Sequence, residues 1–426
     1  MIRLFLCIYI RLKSDAFVKS RFSDDFVKNS QARRANPQGV KRTFGYAATT
    51  KDTAQRSIRT FYEVVKIGWI LLVGSIVLML PAMAIAGNAG NHHHHQALAI
   101  PETGAYTGVC MDFGGKEDHV TRAAIENFEK TVRKHQAVIA YEDSWGEQHF
   151  SEKSAQAVTE YGAIPLIFWS PWDKPYTKGR IPDKFNLYNI LGGMWDDYID
   201  RWAEAAKNFG KPLLVSWGFE MNGDRFPWSV YYYGGGQNDF TQKASGYFGP
   251  ELFKQTYRYV VNRVRAKGVH NIQWVFQVAS NAYPSGRWNR YAVYYPGSKY
   301  VDWLGLSAYE NSSSVTHGDT FYKMCQKSYD ELRKMDPSRP VMLARWETGM
   351  CPAAKNKSLW LQKAFADLKE HFPRIKMVVY RPERIKSKNA SNNNPGDGSS
   401  SEAFKVYRQE MENPYWIGIP RYRSIK

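Results

Sequence analysis

A regular alternation of two kinds of segment, beginning at Thr107, constrains the fold of this chain more than any other feature. Short apolar runs rich in β-branched and aromatic residues predict strands at 107–113, 137–145, 164–169, 212–220, 272–279, 301–309, 340–347 and 376–380. Amphipathic stretches between them predict helices at 119–134, 152–161, 194–209, 250–267, 319–336, 358–371 and 400–411. The connection 281–300 is rich in Asn, Tyr, Pro and Gly, so its helix is expected to be short or missing.

Eight strands that alternate with helices favour an α/β fold of the closed (β/α)8 TIM barrel type, with a doubly wound open sheet as the alternative. The 426 residues are enough for one large domain with appendages. No glycine-rich phosphate-binding motif follows the first predicted strand, which argues against nucleotide binding. In a TIM barrel, the active site is expected at the carboxyl ends of the strands.

The N-terminal part of the chain predicts a basic tail and then a segment that enters a membrane. Residues 1–66 carry 14 Lys and Arg against 5 Asp and Glu, which predicts a disordered tail or a start codon assigned too early. Ile67–Ala86 has twenty residues without charge, enough to span a bilayer, and it ends in small residues that a signal peptidase could cut. A cleaved signal peptide and a transmembrane anchor with a cytoplasmic N-terminus are both open.

Either interpretation of 67–86 sends the rest of the chain out of the cytoplasm, so we expect a secreted, periplasmic or otherwise extracytoplasmic protein. A membrane is a partner only if 67–86 is not cleaved. Residues 87–104 are expected to form a linker, and 105–426 the functional domain. The net charge of +18 is accompanied by no nucleic-acid-binding motif, so no nucleic-acid partner is expected.

Two carboxylates stand at the ends of predicted strands. Glu220 ends the fourth strand among the aromatic residues Trp217, Phe219 and Trp228, and Glu347 ends the seventh. Two such groups can cleave a glycosidic bond, because one protonates the leaving oxygen while the other stabilises or traps the oxocarbenium-like centre. Apolar surroundings disfavour the charged form of a carboxyl group, which suits a general acid at position 220.

Aromatic residues make up 15% of the chain, and their faces can serve as stacking platforms for sugars. The candidates for stacking lie at or just after strand ends, although each could equally belong to the core: Trp145, Trp169, Trp172, Trp228 and Trp288. Asn222 is predicted to orient Glu220 or bind a sugar hydroxyl, with a turn before Gly223 as the alternative role. Asp173 is a further candidate for contact with a sugar hydroxyl. Neither a metal ion nor a cofactor is required.

The segment Phe219-Glu-Met-Asn-Gly-Asp-Arg-Phe-Pro-Trp228 resembles the His-Glu-Met-Asn-Gly…Phe-x-Trp signature of glycoside hydrolase family 26. That family holds β-mannanases, some mixed-linkage glucanases and β-1,3-xylanases. The likeness extends over 107–416. Residues 162–173 resemble the family's third strand, 295–309 its sixth, and Glu347-Thr-Gly349 its seventh.

This resemblance implies a retaining mechanism, with Glu220 as acid/base, Glu347 as nucleophile and Tyr309 hydrogen-bonded to that nucleophile. The two carboxyl groups are then expected about 5–5.5 Å apart. The implied protein is an exported endo-β-glycanase whose partner is a β-linked polysaccharide of the β-mannan or β-glucan type.

Several positions depart from the family pattern. Phe219 stands where the family usually has His, Ser216 stands where many members have Arg, and strand eight lacks the usual sugar-stacking Trp. Strand seven also carries Ala344-Arg-Trp346 where a shorter link is common. These differences bear on mannan specificity more than on the reaction type. They leave as an alternative a weakly active or non-catalytic glycan-binding accessory protein. The possible membrane anchor leaves a second alternative, a hydrolase that trims exopolysaccharide at the cell envelope.

Overall fold

The computed structural model describes residues 95–110, 119–173, 184–237, 246–308, 320–346, 357–381 and 402–425. The chain divides into two units, Met1–Gly90 and Asn91–Lys426, and all of these residues belong to the second. The predicted tail 1–66 and the apolar segment 67–86 lie outside the described residues. Within the described part, no helix is long and apolar enough to cross a membrane.

The strands form a closed parallel barrel with a small ribbon beside it. In chain order they are β1 (His95–Leu98), β2 (Ala105–Cys110), β3 (Val138–Ser144), β4 (Ile164–Ser170), β5 (Leu213–Trp217), β6 (Ile272–Ala279), β7 (Trp303–Ala308), β8 (Val341–Trp346), β9 (Ile375–Tyr380), β10 (Trp416–Ile417) and β11 (Tyr422–Ile425). Strands β2 to β9 pair in sequence order, and β2 also pairs with β9. This last pairing closes the barrel and excludes the open sheet. Strands β2 to β9 are therefore barrel strands one to eight.

Helices follow the barrel strands, as the sequence predicted. They are α1 (Arg122–Val132), α2 (Glu152–Tyr161), α3 (Leu187–Leu191), α4 (Asp196–Phe209), α5 (Phe248–Ala266), α6 (Tyr291–Tyr294), α7 (Phe321–Met335), α8 (Lys357–Glu370) and α9 (Glu402–Met411). The connection between barrel strands five and six contains the short α6, in agreement with the expectation for 281–300. The prediction of a (β/α)8 barrel is confirmed.

Local sequence explains where several helices begin. The hydroxyl of Thr121 accepts a hydrogen bond from the backbone N–H of Ala124 at the start of α1. Thr320 does the same for Lys323 at the start of α7. Such caps satisfy N–H groups that have no partner inside the helix, so these residues set the helix starts close to the predicted positions.

Each barrel strand presents alternate side chains to the helices and to the interior of the barrel. On β5, Trp217 points outward, because its ring packs 5.7 Å from that of Phe253 on α5. Its neighbour Ser216 therefore points inward, where its hydroxyl donates to Gln277 Oε1 at 2.9 Å. Both faces are buried, which is why barrel strands appear as continuous apolar runs in the sequence.

A two-stranded ribbon joins the two ends of the folded unit. Strand β1 pairs antiparallel with β11, from His95 opposite Ile425 to Leu98 opposite Tyr422. The backbone N–H of the buried Leu98 donates to Gln273 Oε1 at 2.7 Å, near the start of β6. The predicted boundary between a linker 87–104 and a domain 105–426 is therefore too late, because residues from 95 onward belong to the folded unit. Strand β1 could not be predicted, because its four residues of mixed polarity form no distinctive sequence pattern.

Candidate active site

Glu220 lies in a tight turn at the carboxyl end of barrel strand four. Its side chain is 2% exposed, and its backbone N–H donates to the carbonyl of Gln277 on β6 at 2.8 Å. Gly218 and Glu220 both have positive φ, +60° and +56°. A positive φ is uncommon for a residue with a side chain and has an energetic cost. Because this conformation has a cost, the surrounding contacts must hold the turn. The turn in its place determines the point from which the Glu220 side chain extends.

Asn222 fastens this turn to the end of β6. Its Nδ2 donates to the carbonyl of Ala279 at 2.9 Å, and its Oδ1 accepts from the N–H of Ala279 at 2.9 Å. The side chain is completely buried. The predicted contact with a sugar is corrected, because both ends of the amide already bind protein backbone. Asn222 instead holds the turn that contains Glu220, and its role in orienting the Glu220 carboxyl group stays a prediction.

An aromatic cluster encloses Phe219, the residue before Glu220. The ring of Phe219 lies 5.3 Å from Phe168, 4.9 Å from Phe226 and 5.3 Å from Trp228. The indole N–H of Trp228 donates to the carbonyl of Phe219 at 2.6 Å. At this position, where the family that the sequence resembles usually has a histidine, the chain has an apolar ring that packs against other rings.

The predicted platforms Trp145 and Trp169 lie on the outer side of the barrel wall. Both are completely buried. Trp169 stacks on Trp202 of α4 with ring centres 4.0 Å apart, and its N–H donates to the hydroxyl of Tyr198 at 2.9 Å. Trp145 packs 5.3 Å from Trp169. The stacking prediction is wrong for these two residues, because both are buried against α4 and leave no ring face open to a sugar. Trp169 faces outward on β4, and Trp145 lies in the 3-10 turn after β3, with its ring 5.2 Å from that of Tyr198.

Trp228 is also completely buried, so its stacking prediction is corrected in the same way. One face of its ring is covered by Phe226, which lies parallel to it at 4.7 Å. Phe226 itself is half-buried, and the half-buried ring of Trp172 meets it edge-on at 6.3 Å. Trp172 therefore stays a candidate for sugar contact.

The remaining candidates for sugar contact on the described loops are Trp288 and Asp173. Trp288 follows β6 in a short 3-10 turn and is half-buried. Asp173 follows Trp172 and forms a salt bridge with Lys184 at 3.2 Å, with its side chain 46% exposed. A sugar hydroxyl could reach this carboxylate without displacing core residues, so the prediction for Asp173 stays open.

A chain of polar side chains crosses the barrel interior below the Glu220 turn. Ser216 binds Gln277 Oε1, and Gln277 Nε2 donates to Ser307 Oγ at 2.8 Å. All three residues are buried. Sequence reasoning singled out Ser216 but missed Gln277 and Ser307. The sequence offered one signal for Ser307, which is its spacing of two residues from Tyr309, a predicted site residue. A neutral hydrogen-bond network thus occupies the level where many members of the family that the sequence resembles have an arginine.

Glu347 and Tyr309 lie outside the described residues, so their predicted roles stay predictions. The described strands end immediately before them. Trp346 is the last residue of β8, and its ring packs 5.7 Å from Phe321 and 5.5 Å from Phe365 on the surrounding helices. Ala308 is the last residue of β7.

A further carboxyl group, that of Asp143, is buried on the outer side of β3. Its Oδ2 accepts hydrogen bonds from Ser151 Oγ at 2.9 Å and from the indole N–H of Trp202 at 3.1 Å. Burial raises the pKa of Asp143 to about 6. Because this group faces α4 rather than the interior of the barrel, it belongs to the wall of the fold.

Comparison with known proteins identifies the family. The sequence pattern of Glycosyl hydrolase family 26 matches residues 102–342, which is more than half of the chain. The chain belongs to glycosyl hydrolase family 26. This confirms the resemblance inferred from the Phe219–Trp228 segment. The matched range of the family 26 pattern includes Glu220 and Tyr309 and ends before Glu347.

The relatives of this family 26 protein include an endoglucanase and a mannanase. Endoglucanase H of Acetivibrio thermocellus is 24% identical over 318 residues, which are 72% of this chain and 32% of that protein. A mannan endo-1,4-β-mannosidase of Bacillus subtilis is 35% identical over 103 residues, 24% of this chain and 25% of that protein. The chain thus spans about a third or less of these relatives.

Solved structures agree with the fold of this family 26 chain. A GH26 β-mannanase from Bacteroides ovatus has a TM-score of 0.52 at 15% identity, and the match covers 74% of this chain and 90% of that one. An endo-β-1,4-mannanase of Cellulomonas fimi has the same TM-score at 14% identity, covering 74% and 72%. At these identities the likeness shows the barrel fold alone.

Proposed function

We propose that the protein is an exported, retaining endo-β-glycanase that hydrolyses a β-linked polysaccharide of the β-mannan or β-glucan type. One observation carries this proposal. Glu220, inside the family's Glu-Met-Asn-Gly segment, is a buried carboxyl group in a left-handed turn at the carboxyl end of barrel strand four. Catalytic side chains of TIM barrels come from this face of the barrel.

In the proposed mechanism, Glu220 donates a proton to the glycosidic oxygen while Glu347 attacks the anomeric carbon. The bond to the leaving sugar breaks, and a covalent glycosyl-enzyme forms. Glu220, now ionised, then takes a proton from water, and the resulting attack on the anomeric carbon releases Glu347. The reaction needs no external oxidant or reductant, and the anomeric configuration is retained.

The assignment of Glu347 and Tyr309 rests on the family resemblance and on the chain order of the strands. Each follows directly on a described barrel strand, Glu347 on β8 and Tyr309 on β7. The carboxyl ends of the parallel strands β5, β7 and β8 belong to the same end of the barrel, where the active site of a TIM barrel forms. Glu347 and Tyr309 are therefore proposed to act together with Glu220.

The decisive experiment is reducing-sugar release from a panel of mannan, glucomannan, mixed-linkage β-glucan, β-1,3-xylan and an acidic exopolysaccharide. Wild type is expected to release sugar from at least one polymer. Glu220→Gln and Glu347→Ala should each reduce this release by orders of magnitude while the thermal unfolding temperature stays close to that of wild type. Full activity in either folded variant would rule out the assignment.

A second function is favoured by Phe219. Because this residue offers a sugar no polar group where the family usually has histidine, the protein could bind glycans without cleaving them. Binding of a polysaccharide by wild type without any sugar release would support this accessory role. Measurable release, abolished by Glu220→Gln, would reject it.

Export is proposed from Ile67–Ala86 alone, and it determines the biological setting. An uncleaved anchor would hold the protein at the cell envelope, where it could trim exopolysaccharide. A cleaved signal would release it to digest external polymers. Cell fractionation with an antibody to the barrel distinguishes the two, since only an anchored protein remains with the membranes.

A further inference from the structure

We propose that Trp288 and Tyr283 form an aromatic platform that binds the polysaccharide chain beside the cleavage position. Both residues belong to the loop 280–290 that follows barrel strand five. This inference rests on the proposed function, because it assigns the platform to the polymer whose bond is cleaved near Glu220. It adds a binding site that extends the substrate contact away from the reacting bond.

Three glycines lie directly against the ring of Trp288. A Cβ atom at Gly235 would come within 3.1 Å of the six-membered ring, and one at Gly286 within 2.9 Å of its nitrogen. A Cβ atom at Gly236 would overlap the five-membered ring. The indole is thus seated directly on main chain, yet it is only half-buried. An indole that is held against main chain and stays partly exposed suits stacking against the C–H face of a sugar.

Tyr283 gives the same loop a second aromatic group. Its side chain is 51% exposed, so the ring is accessible to a ligand. Its backbone N–H donates to the carbonyl of Asn222 at 2.9 Å. The exposed ring is therefore attached to the main chain of the turn that carries Glu220.

Hydrogen bonds hold the loop firmly against the same turn. Asn289, next to Trp288, is buried, and its Nδ2 donates to the carbonyls of Asn222 at 3.1 Å and Pro284 at 2.8 Å. The hydroxyl of Tyr291 donates to the carbonyl of Ala279 at 3.0 Å. A platform held in this way loses little conformational freedom when a sugar binds.

The position of the platform indicates which ligand it takes. In the barrel, β5 lies between β4 and β6. Trp172 follows β4, whereas Tyr283 and Trp288 follow β6, so the two aromatic sites flank the Glu220 turn. A polysaccharide chain that extends to both sides of the cleaved bond can contact both sites. Such binding is what cleavage within a polymer requires, whereas a short glycoside reaches only the reacting centre.

The test compares polymer and short substrates in Trp288→Ala and Tyr283→Ala variants of the full chain. On the polysaccharide that wild type cleaves, we expect each variant to raise KM by about tenfold. On an activated aryl glycoside of the same sugar, kcat/KM should stay within about twofold of wild type. Tyr188→Ala is the matched control, because Tyr188 is also 51% exposed but lies on α3.

Unchanged KM for the polymer in both variants would overturn the platform. An equal loss on both substrates would also overturn it, because Trp288 would then act by supporting Glu220. If Trp288→Ala does not fold, Tyr283→Ala decides alone, since its exposed ring is not needed for packing. If wild type cleaves no polymer, the proposed function fails, and binding of the same polysaccharides to the variants by calorimetry still tests the platform.

Discussion

The backbone amide of Glu220 donates a 2.8 Å hydrogen bond to the carbonyl of Gln277, across the boundary between barrel strands four and five. This bond continues the pairing of the two strands past the point where β5 ends. Glu220, the proposed general acid, is therefore attached to the sheet and not to a free loop. Catalytic groups must be held within a fraction of an ångström of their working geometry, and such an attachment favours that precision.

Glu220→Gln should remove the proton donor without disturbing the turn. The two side chains have the same shape, so thermal unfolding should stay within about 2 °C of wild type. Hydrolysis of polymer should fall by on the order of 10³-fold, within the range typical of general acid–base groups. On a dinitrophenyl glycoside, whose leaving group needs no proton, the bond-breaking step should be nearly unaffected. Equal losses on both substrates would contradict the acid role.

Asn222→Ala should loosen the same turn. The change removes both hydrogen bonds to the backbone of Ala279. It leaves the Ala279 N–H without the Asn222 oxygen, whereas the carbonyl keeps the hydroxyl of Tyr291. We expect the free energy of unfolding to fall by about 1–3 kcal/mol and kcat to fall with it. Urea unfolding and initial rates measure the two effects. Wild-type kcat in a destabilised variant would indicate that the turn keeps its geometry without Asn222.

The buried Asp143 predicts a pH-dependent stability. Its pKa of about 6 in the folded protein exceeds the pKa of about 3.9 in the unfolded chain, so the folded state holds the proton more tightly. Stability from this group is present below about pH 4, is lost as pH rises towards about 6, and stays lost above. In Asp143→Asn this loss should disappear, a relative gain of up to about 3 kcal/mol between pH 4 and pH 7.

Chemical denaturation of wild type and Asp143→Asn at pH 4, 5, 6 and 7 measures this difference. Asparagine keeps an oxygen to accept from Ser151 and Trp202, so the comparison isolates ionisation. Ser151→Ala, which removes only one of these donors, serves as the control. A difference in the free energy of unfolding between wild type and Asp143→Asn that is constant over this pH range would contradict the raised pKa of Asp143.

Phe219→His tests whether restoring the residue usual in the family restores its properties. The imidazole would lie among Phe168, Phe226 and Trp228, where no polar partner is available among these rings. We expect the free energy of unfolding to fall by about 1–3 kcal/mol, with no gain of activity on mannan, because position 219 is enclosed. Phe219→Leu, which stays apolar, is the comparison. A gain on mannan at unchanged stability would show that the side chain reaches the substrate.

The order of strands and helices could be predicted because burial on both faces makes each barrel strand a continuous apolar run. Which face a residue occupies could not be predicted for the same reason. Trp145 and Trp169 follow the strand pattern as well as any cleft residue would, yet they pack against α4. Only its contact with a helix shows whether a side chain faces outward or towards the interior of the barrel.

The position of Glu220 was predictable because its motif and the strand count agreed. The means by which Glu220 is held was not. The partners of Asn222 and Ser216 lie on β6, some 57 and 61 residues later in the chain. Local sequence carries no information about such contacts, since they depend on which strands the closed barrel brings together.

The ribbon of β1 and β11 has a practical consequence for any shortened form of the protein. A truncation beginning at residue 105 would remove β1 and leave the backbone groups of Tyr422–Ile425 without their partner strand. It would also remove the hydrogen bond between the backbone N–H of Leu98 and the side chain of Gln273. A bare strand edge readily pairs with another molecule, so such a truncated protein should self-associate, whereas one beginning before His95 should stay dispersed.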